Sequence, residues 1–100
     1  MTRRRFSNRR QTESFKFEHN GIAYRASVSR FEDGEIGELF LNAGKIGCAA
    51  DIVAHDAAVI FSIARQYGVP LQTIKDALAK LPDCTPAGPI GVALELADRK

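Results

Sequence analysis

Two tight-turn signals, Asn20-Gly21 and Asp33-Gly34, lie thirteen residues apart, each between segments of alternating apolar and polar side chains. Both dipeptides favour hairpins because their residues tolerate the positive φ of a type I′ turn. Phe15 and Phe17 alternate with Lys16 and Glu18 ahead of the first turn. Ile22, Tyr24, Ala26 and Val28 alternate with Ala23, Arg25, Ser27 and Ser29 between the turns, and Glu35 to Leu41 reads as a third strand. If each turn closes with a two-residue loop, register follows by counting. His19 then faces Ile22, Phe17 faces Tyr24, Phe15 faces Ala26, Phe31 faces Ile36, Val28 faces Leu39 and Ala26 faces Leu41. Both registers put Phe15, Phe17, Tyr24, Ala26, Val28, Leu39 and Leu41 on one side. A one-residue slip would invert every side chain, so agreement between two independent turns is a strong constraint. The second register also sets Glu32 against Glu35, a like-charge pair tolerable only where exposed.

Beyond the third strand, Asn42 to Gly47 breaks the alternation with two glycines. Ile52, Val53, Ala57, Val59, Ile60, Ile63, Ala64 and Tyr67 then recur at helical spacing, and Gly68 stops the helix. A second helix starts at Pro70 with Leu71, Ile74, Leu78 and Leu81 inward, and Pro89 opens a short third one carrying Ile90, Ala93, Leu94 and Ala97. Strands followed by helices predict an α+β fold: a three-stranded antiparallel β-meander, then two to three α-helices packed on one sheet face. The opposite sheet face carries polar side chains but also Phe31, Ile36 and Phe40. Such a cluster suits a protein partner or a second copy, or the C-terminal helix folding over it.

A chain of 100 residues has room for one core. Its formal charge of +2 hides an asymmetry: Arg3, Arg4, Arg5, Arg9 and Arg10 carry the basic character, while residues 11–100 hold nine bases against twelve acids. We therefore expect residues 1–12 to form a disordered arginine-rich arm and residues 13–100 a single domain. The arm could neutralise phosphates of a nucleic acid, or simply be a solvated tail. No apolar run approaches a bilayer span, so no membrane association and a cytoplasmic location are expected. Cys48 and Cys84 are too few for a disulfide framework; free thiols fit a reducing cytosol, although one bridge is arithmetically possible.

The Gly44-Lys45-Ile46-Gly47 loop leading into a helix is the most suggestive local motif. Free N–H groups, the helix dipole and a lysine there would attract a phosphate, making Gly44, Lys45 and Gly47 anion or nucleotide candidates. The same spacing also serves as an ordinary strand-to-helix turn. Asp51 and His55 share a helix face at i, i+4, which is half an acid–base device without a nucleophile, or a simple intrahelical pair. His19, His55, Cys48 and Cys84 are too scattered for a structural metal site, and neither a metal nor a cofactor is expected.

Phe31-Glu32-Asp33-Gly34-Glu35-Ile36-Gly37-Glu38-Leu39-Phe40-Leu41, then Gly44-Lys45-Ile46-Gly47, then Tyr67-Gly68-Val69-Pro70-Leu71 resemble the TSCPD domain family. That domain occurs in the C-terminal part of adenosylcobalamin-dependent ribonucleotide reductases and as small stand-alone bacterial proteins; the closing Ala87 to Leu94 segment is similar to the latter. The resemblance runs from about Ser14 to the C-terminus, but the name-giving Thr-Ser-Cys-Pro-Asp string is absent; Leu81-Pro82-Asp83-Cys84-Thr85-Pro86 is the nearest stretch. It implies a non-catalytic accessory module of deoxyribonucleotide metabolism that binds a reductase, a nucleotide or a second copy of itself. No catalytic residue of the family maps onto this chain. A nucleic-acid-associated protein using its arm and a fragment of reductase type are the alternative readings.

Overall fold

The computed structural model describes residues 12–44 and 47–98. Strands β1 (Thr12–His19), β2 (Ile22–Arg30) and β3 (Ile36–Ala43) form one antiparallel sheet in that order, and helices α1 (Ala49–Gln66), α2 (Leu71–Ala77) and α3 (Pro89–Asp98) follow. The first hairpin has the predicted register, Phe17 on Tyr24 and Phe15 on Ala26. Asn20 and Gly21 both take positive φ, 51° and 77°, as a type I′ turn requires. The rings of Phe17 and Tyr24 stack with centroids 5.4 Å apart.

The second hairpin keeps Val28 on Leu39 and Ala26 on Leu41 but departs from the two-residue loop. The Phe31 N–H donates to the Glu35 carbonyl and the Gly34 N–H to the Phe31 carbonyl, so Glu32, Asp33 and Gly34 form a three-residue loop. Gly34 supplies the left-handed residue, φ 88°, that such loops need. Arg30 consequently pairs with Ile36 rather than Gly37, and a bulge absorbs the difference at Gly37. The shift turns Ile36 to the core side, where it is 1% exposed. Phe31 closes over Gly37, where even a single Cβ would lie 2.6 Å from the ring's Cζ. Burying these two large side chains contributes about 3–6 kcal/mol, which outweighs the hydrogen bonds lost at a bulge.

The core joins Tyr24, Ala26, Val28, Ile36, Leu39, Leu41 and Ala43 of the sheet to Ala54, Ala58 and Phe61 of α1 and Ala93, Leu94 and Ala97 of α3. Leu71, Ile74 and Leu78 of the α2 region pack on its margin, while Leu81 is exposed. Arg30 ties the far ends together: its guanidinium donates to Glu13, to the Gly34 carbonyl and to the Ala97 carbonyl in the last turn of α3.

Helix α1 lies against β3, one of the two edge strands, with a face the sequence pattern does not single out. Asp51, Ala54, Ala58, Ser62 and Arg65, at three- and four-residue intervals, are its buried side chains together with Phe61 and Gln66. The polar members complete the strand edge. The Asp51 carboxylate accepts from the Ala43 N–H at 3.0 Å. The Ser62 hydroxyl accepts from the Leu39 N–H at 2.9 Å, and donor geometry is satisfied toward the Leu39 and Ala58 carbonyls. The Arg65 Nε donates to the Ile36 carbonyl at 2.7 Å. An uncovered edge is a template for unwanted strand pairing, and covering it with a helix removes that hazard. Small alanines let the two backbones approach, and polar side chains must sit where edge carbonyls and N–H groups would otherwise be buried unpaired. The bulky aliphatic residues that give the helix its apolar spacing are therefore turned outward. No helix among the described residues is long and apolar enough to cross a membrane.

Candidate functional site

Two N–H groups of the loop expected to hold an anion are engaged within the chain. The Gly47 N–H donates to Asp51 Oδ2 at 2.9 Å, while Oδ1 takes the Ala43 N–H and, at 3.4 Å, the Asn42 amide. Asp51 is the third residue of α1, where a carboxylate can reach back across the helix start as in a capping box. The Gly47 and Ala43 N–H groups hold its carboxyl below the usual value of 3.8 against the opposing effect of burial, with smaller help from Asn42 and the charge of His55. The Gly44 N–H, for its part, donates to the Ala23 carbonyl at 2.7 Å. Both glycine donors proposed for a phosphate are thus committed within the chain, and Lys45 lies outside the described residues. Asp51 and His55 do not form an acid–base pair either, since the carboxylate is spoken for by backbone.

Of the apolar trio Phe31, Ile36 and Phe40, the first two are buried and only Phe40 is exposed. The cause is the bulge at Gly37, which a count from the turn alone does not reveal. Phe40 stands on the open sheet face beside Arg25, Ser27 and Asn42 in a shallow hollow of about 450 Å³. A second hollow of about 250 Å³ lies between α2, α3 and the intervening loop, lined by Lys75, Lys80, Cys84 and Glu95 among others. Lys80 is occupied there, since its ammonium donates to the Lys75, Asp76 and Leu78 carbonyls at the end of α2. Cys84 is exposed, Cys48 is half-buried, and both are free thiols. Among the described residues no three His, Cys, Asp or Glu side chains come together as a metal would require. Arg3, Arg4, Arg5, Arg9 and Arg10, the nucleic-acid candidates, lie outside the described residues.

The apolar residues whose recurrence marks out α1 in the sequence lie largely on its exposed side. Ile60 and Val53 are 68% and 67% exposed, Ile52 is 54% exposed, and Val59, Ile63 and Tyr67 are each more than a third exposed. Ile52, Val59 and Ile63 form one row along the outer side of α1, and Val53, Ile60 and Tyr67 another, seven residues apart. Together they make an apolar stripe about 22 Å long at 1.5 Å per residue, interrupted by one charged side chain, Asp56. Scattered exposed aliphatics are ordinary; a contiguous stripe of this width on a single helix is a candidate contact surface. The signal available in the sequence was the double pattern: α1 has small and polar residues at one helical phase and large aliphatics at the other.

No protein-family model matches the chain, and no solved structure matches it. Sequence comparison does find relatives. The chain is 35% identical over 75 residues to the vitamin B12-dependent ribonucleotide reductase of Agrobacterium fabrum, covering 75% of this chain and 6% of that protein. With the enzyme of the same name from Bradyrhizobium diazoefficiens it shares 31% identity over 88 residues, 88% of the chain and 7% of the relative. The Rhodopirellula baltica enzyme gives 35% over 72 residues, 72% and 7% respectively. What is shared is one small segment of a far longer protein: the chain is related to a domain of vitamin B12-dependent ribonucleotide reductases and spans 6–7% of the curated relatives it matches.

Proposed function

We propose that this chain is a non-catalytic accessory module of the ribonucleotide reductase type, a TSCPD-like domain that acts by docking on a reductase. The observation that carries this reading is the asymmetry of the match, most of this chain against 6–7% of each reductase. A domain that size inside a large enzyme contributes contacts, and the stripe on α1 is the surface best suited to make them. Its chemistry favours a proteinaceous partner: a wide aliphatic band with a single carboxylate offers nothing to recognise a phosphate or a base, and in the loop that could have done so the Gly44 and Gly47 N–H groups are engaged within the chain.

The test is a binding titration of the chain against a purified vitamin B12-dependent ribonucleotide reductase, with Ile60→Lys and Val53→Lys as variants. Saturable binding weakened tenfold or more by either lysine is the expected result. An absence of binding at high micromolar concentration, or binding indifferent to both variants, overturns the docking role. Ribonucleotide reduction by the isolated chain, supplied with cobalamin and a dithiol, overturns the non-catalytic part. A thermal shift in excess nucleotide, lost in Lys45→Ala, would instead favour nucleotide binding.

A further inference from the structure

The stripe on α1 is self-complementary, and we infer that in the free chain it is covered by the same stripe of a second copy, the two α1 helices packing antiparallel about a two-fold axis near Ile60. The inference rests on the reading of this face as a docking surface and names its occupant when no reductase is present.

Three observations carry it. The first is pattern. Ile52, Asp56, Val59 and Ile63 are spaced by four, three and four residues, with Val53, Ile60 and Tyr67 flanking them. This is the seam geometry by which helices interlock, widened on one side. A two-fold contact requires that if residue i touches j, then j touches i. The stripe runs from Ile52 to Tyr67 and its midpoint falls between Val59 and Ile60, so turning it end over end lays Val53 near the partner's Tyr67 and Ile60 near its own counterpart.

The second is charge. A parallel pairing would set Asp56 against Asp56, two like charges inside an apolar seam. The antiparallel arrangement separates them by about eight residues, roughly 12 Å along the axis, and the repulsion falls with that distance. It also opposes the two helix dipoles. One charged residue inside an otherwise aliphatic seam commonly specifies orientation rather than adding stability.

The third is area. The six exposed side chains present on the order of 400 Å² of apolar surface per chain. Two copies would bury about 800 Å² of it. Interface cores of this kind are about 65% apolar, so the total is on the order of 1,200 Å², the lower bound for a specific, stable interface. A dimer that assembles in the micromolar range and yields to a better partner is the expected consequence.

Sedimentation equilibrium or light scattering on the full chain, from low micromolar to near-millimolar concentration, tests it. The wild type should move from the monomer mass of 11.0 kDa toward twice that value. Ile60→Lys should remain monomeric throughout with unchanged circular dichroism, while Phe40→Lys, on the open sheet face, should dimerise as the wild type does. A cross-linking arm keeps the proposal testable should the lysine variant fold poorly. In a Cys84→Ser background, Ile60→Cys should form a disulfide-linked dimer under mild oxidation. Val53→Cys alone should not, and Val53→Cys mixed with Tyr67→Cys should. A wild type that stays monomeric at every concentration overturns the inference, as does dimerisation unaffected by Ile60→Lys with no cross-link at position 60. If the wild type is monomeric yet reductase binding still falls with Ile60→Lys, the docking role stands and the second copy is excluded. If dimerisation is confirmed and no reductase binds, the reverse holds.

Discussion

Ser62→Ala and Val53→Ala, made in an Ile60→Lys background to remove association, distinguish the observed orientation of α1 from the one its hydrophobicity implies. Ser62 is 7% exposed, and its hydroxyl is the acceptor for the Leu39 N–H at 2.9 Å. Leu39 is completely buried, so the alanine leaves that N–H with neither protein nor solvent partner. An unsatisfied buried donor costs about 1–3 kcal/mol. Alanine's better helix propensity returns about 0.5 kcal/mol, leaving a net loss of about 0.5–2.5 kcal/mol. For a domain of this length each kcal/mol lowers Tm by about 4–8 °C, so a drop of about 10 °C is expected. Val53 is 67% exposed; two methyl groups only a third buried are worth about 0.5 kcal/mol, and the gain in helix propensity offsets most of that. Val53→Ala should leave Tm within about 2 °C of its parent. Urea and thermal unfolding followed by circular dichroism measure both. Were Val53→Ala the more damaging of the two, the polar, small-residue face of α1 would not be the one against β3, and the edge-covering account would fall with it.

Gly37→Ala should destabilise by about 1–3 kcal/mol, because its Cβ would meet the Phe31 ring at 2.6–2.8 Å; Phe31→Leu in the same chain should recover part of the loss by giving that carbon space, and additive effects in denaturant titrations would refute the contact. Acid titration reports on Asp51. Its carboxyl is depressed in the folded state by the Gly47 and Ala43 N–H groups, so its contribution is complete above the unfolded value near 3.8 and is lost as pH falls through the lower folded one. Asp51→Asn should therefore be less stable than the wild type at neutral pH and should show a shallower loss below about pH 4, whereas parallel curves would contradict the hydrogen-bonded carboxylate. Thiol reactivity separates the cysteines: Cys84, exposed, should be modified by a maleimide in the native protein well before half-buried Cys48, as peptide mapping after brief labelling would establish.

Much of the architecture is legible in the chain because hairpins are local. Asn20-Gly21 sets the pairing of β1 with β2 without help from elsewhere, and Val28, Leu39 and Leu41 come inward from Asp33-Gly34 whether or not a bulge intervenes beyond them. The third helix, with Ala93, Leu94 and Ala97 on one side, is similarly written in its spacing. The misreadings share one origin, long-range competition. Gly37 becomes a bulge because Phe31 needs somewhere to lie, and Ile36 reaches the core only through that bulge. The Gly47 N–H is taken by Asp51 because β3 ends within reach of the first turn of α1. Residue periodicity detects that α1 has two distinct faces but cannot say which one meets protein. Hydrophobicity favours burying Ile52, Val53 and Ile60, while the unpaired backbone of an edge strand demands Asp51, Ser62 and Arg65. Tertiary structure decided for the strand, since a buried N–H or carbonyl without a partner must find one within its own chain, whereas an aliphatic face can still be covered by another molecule.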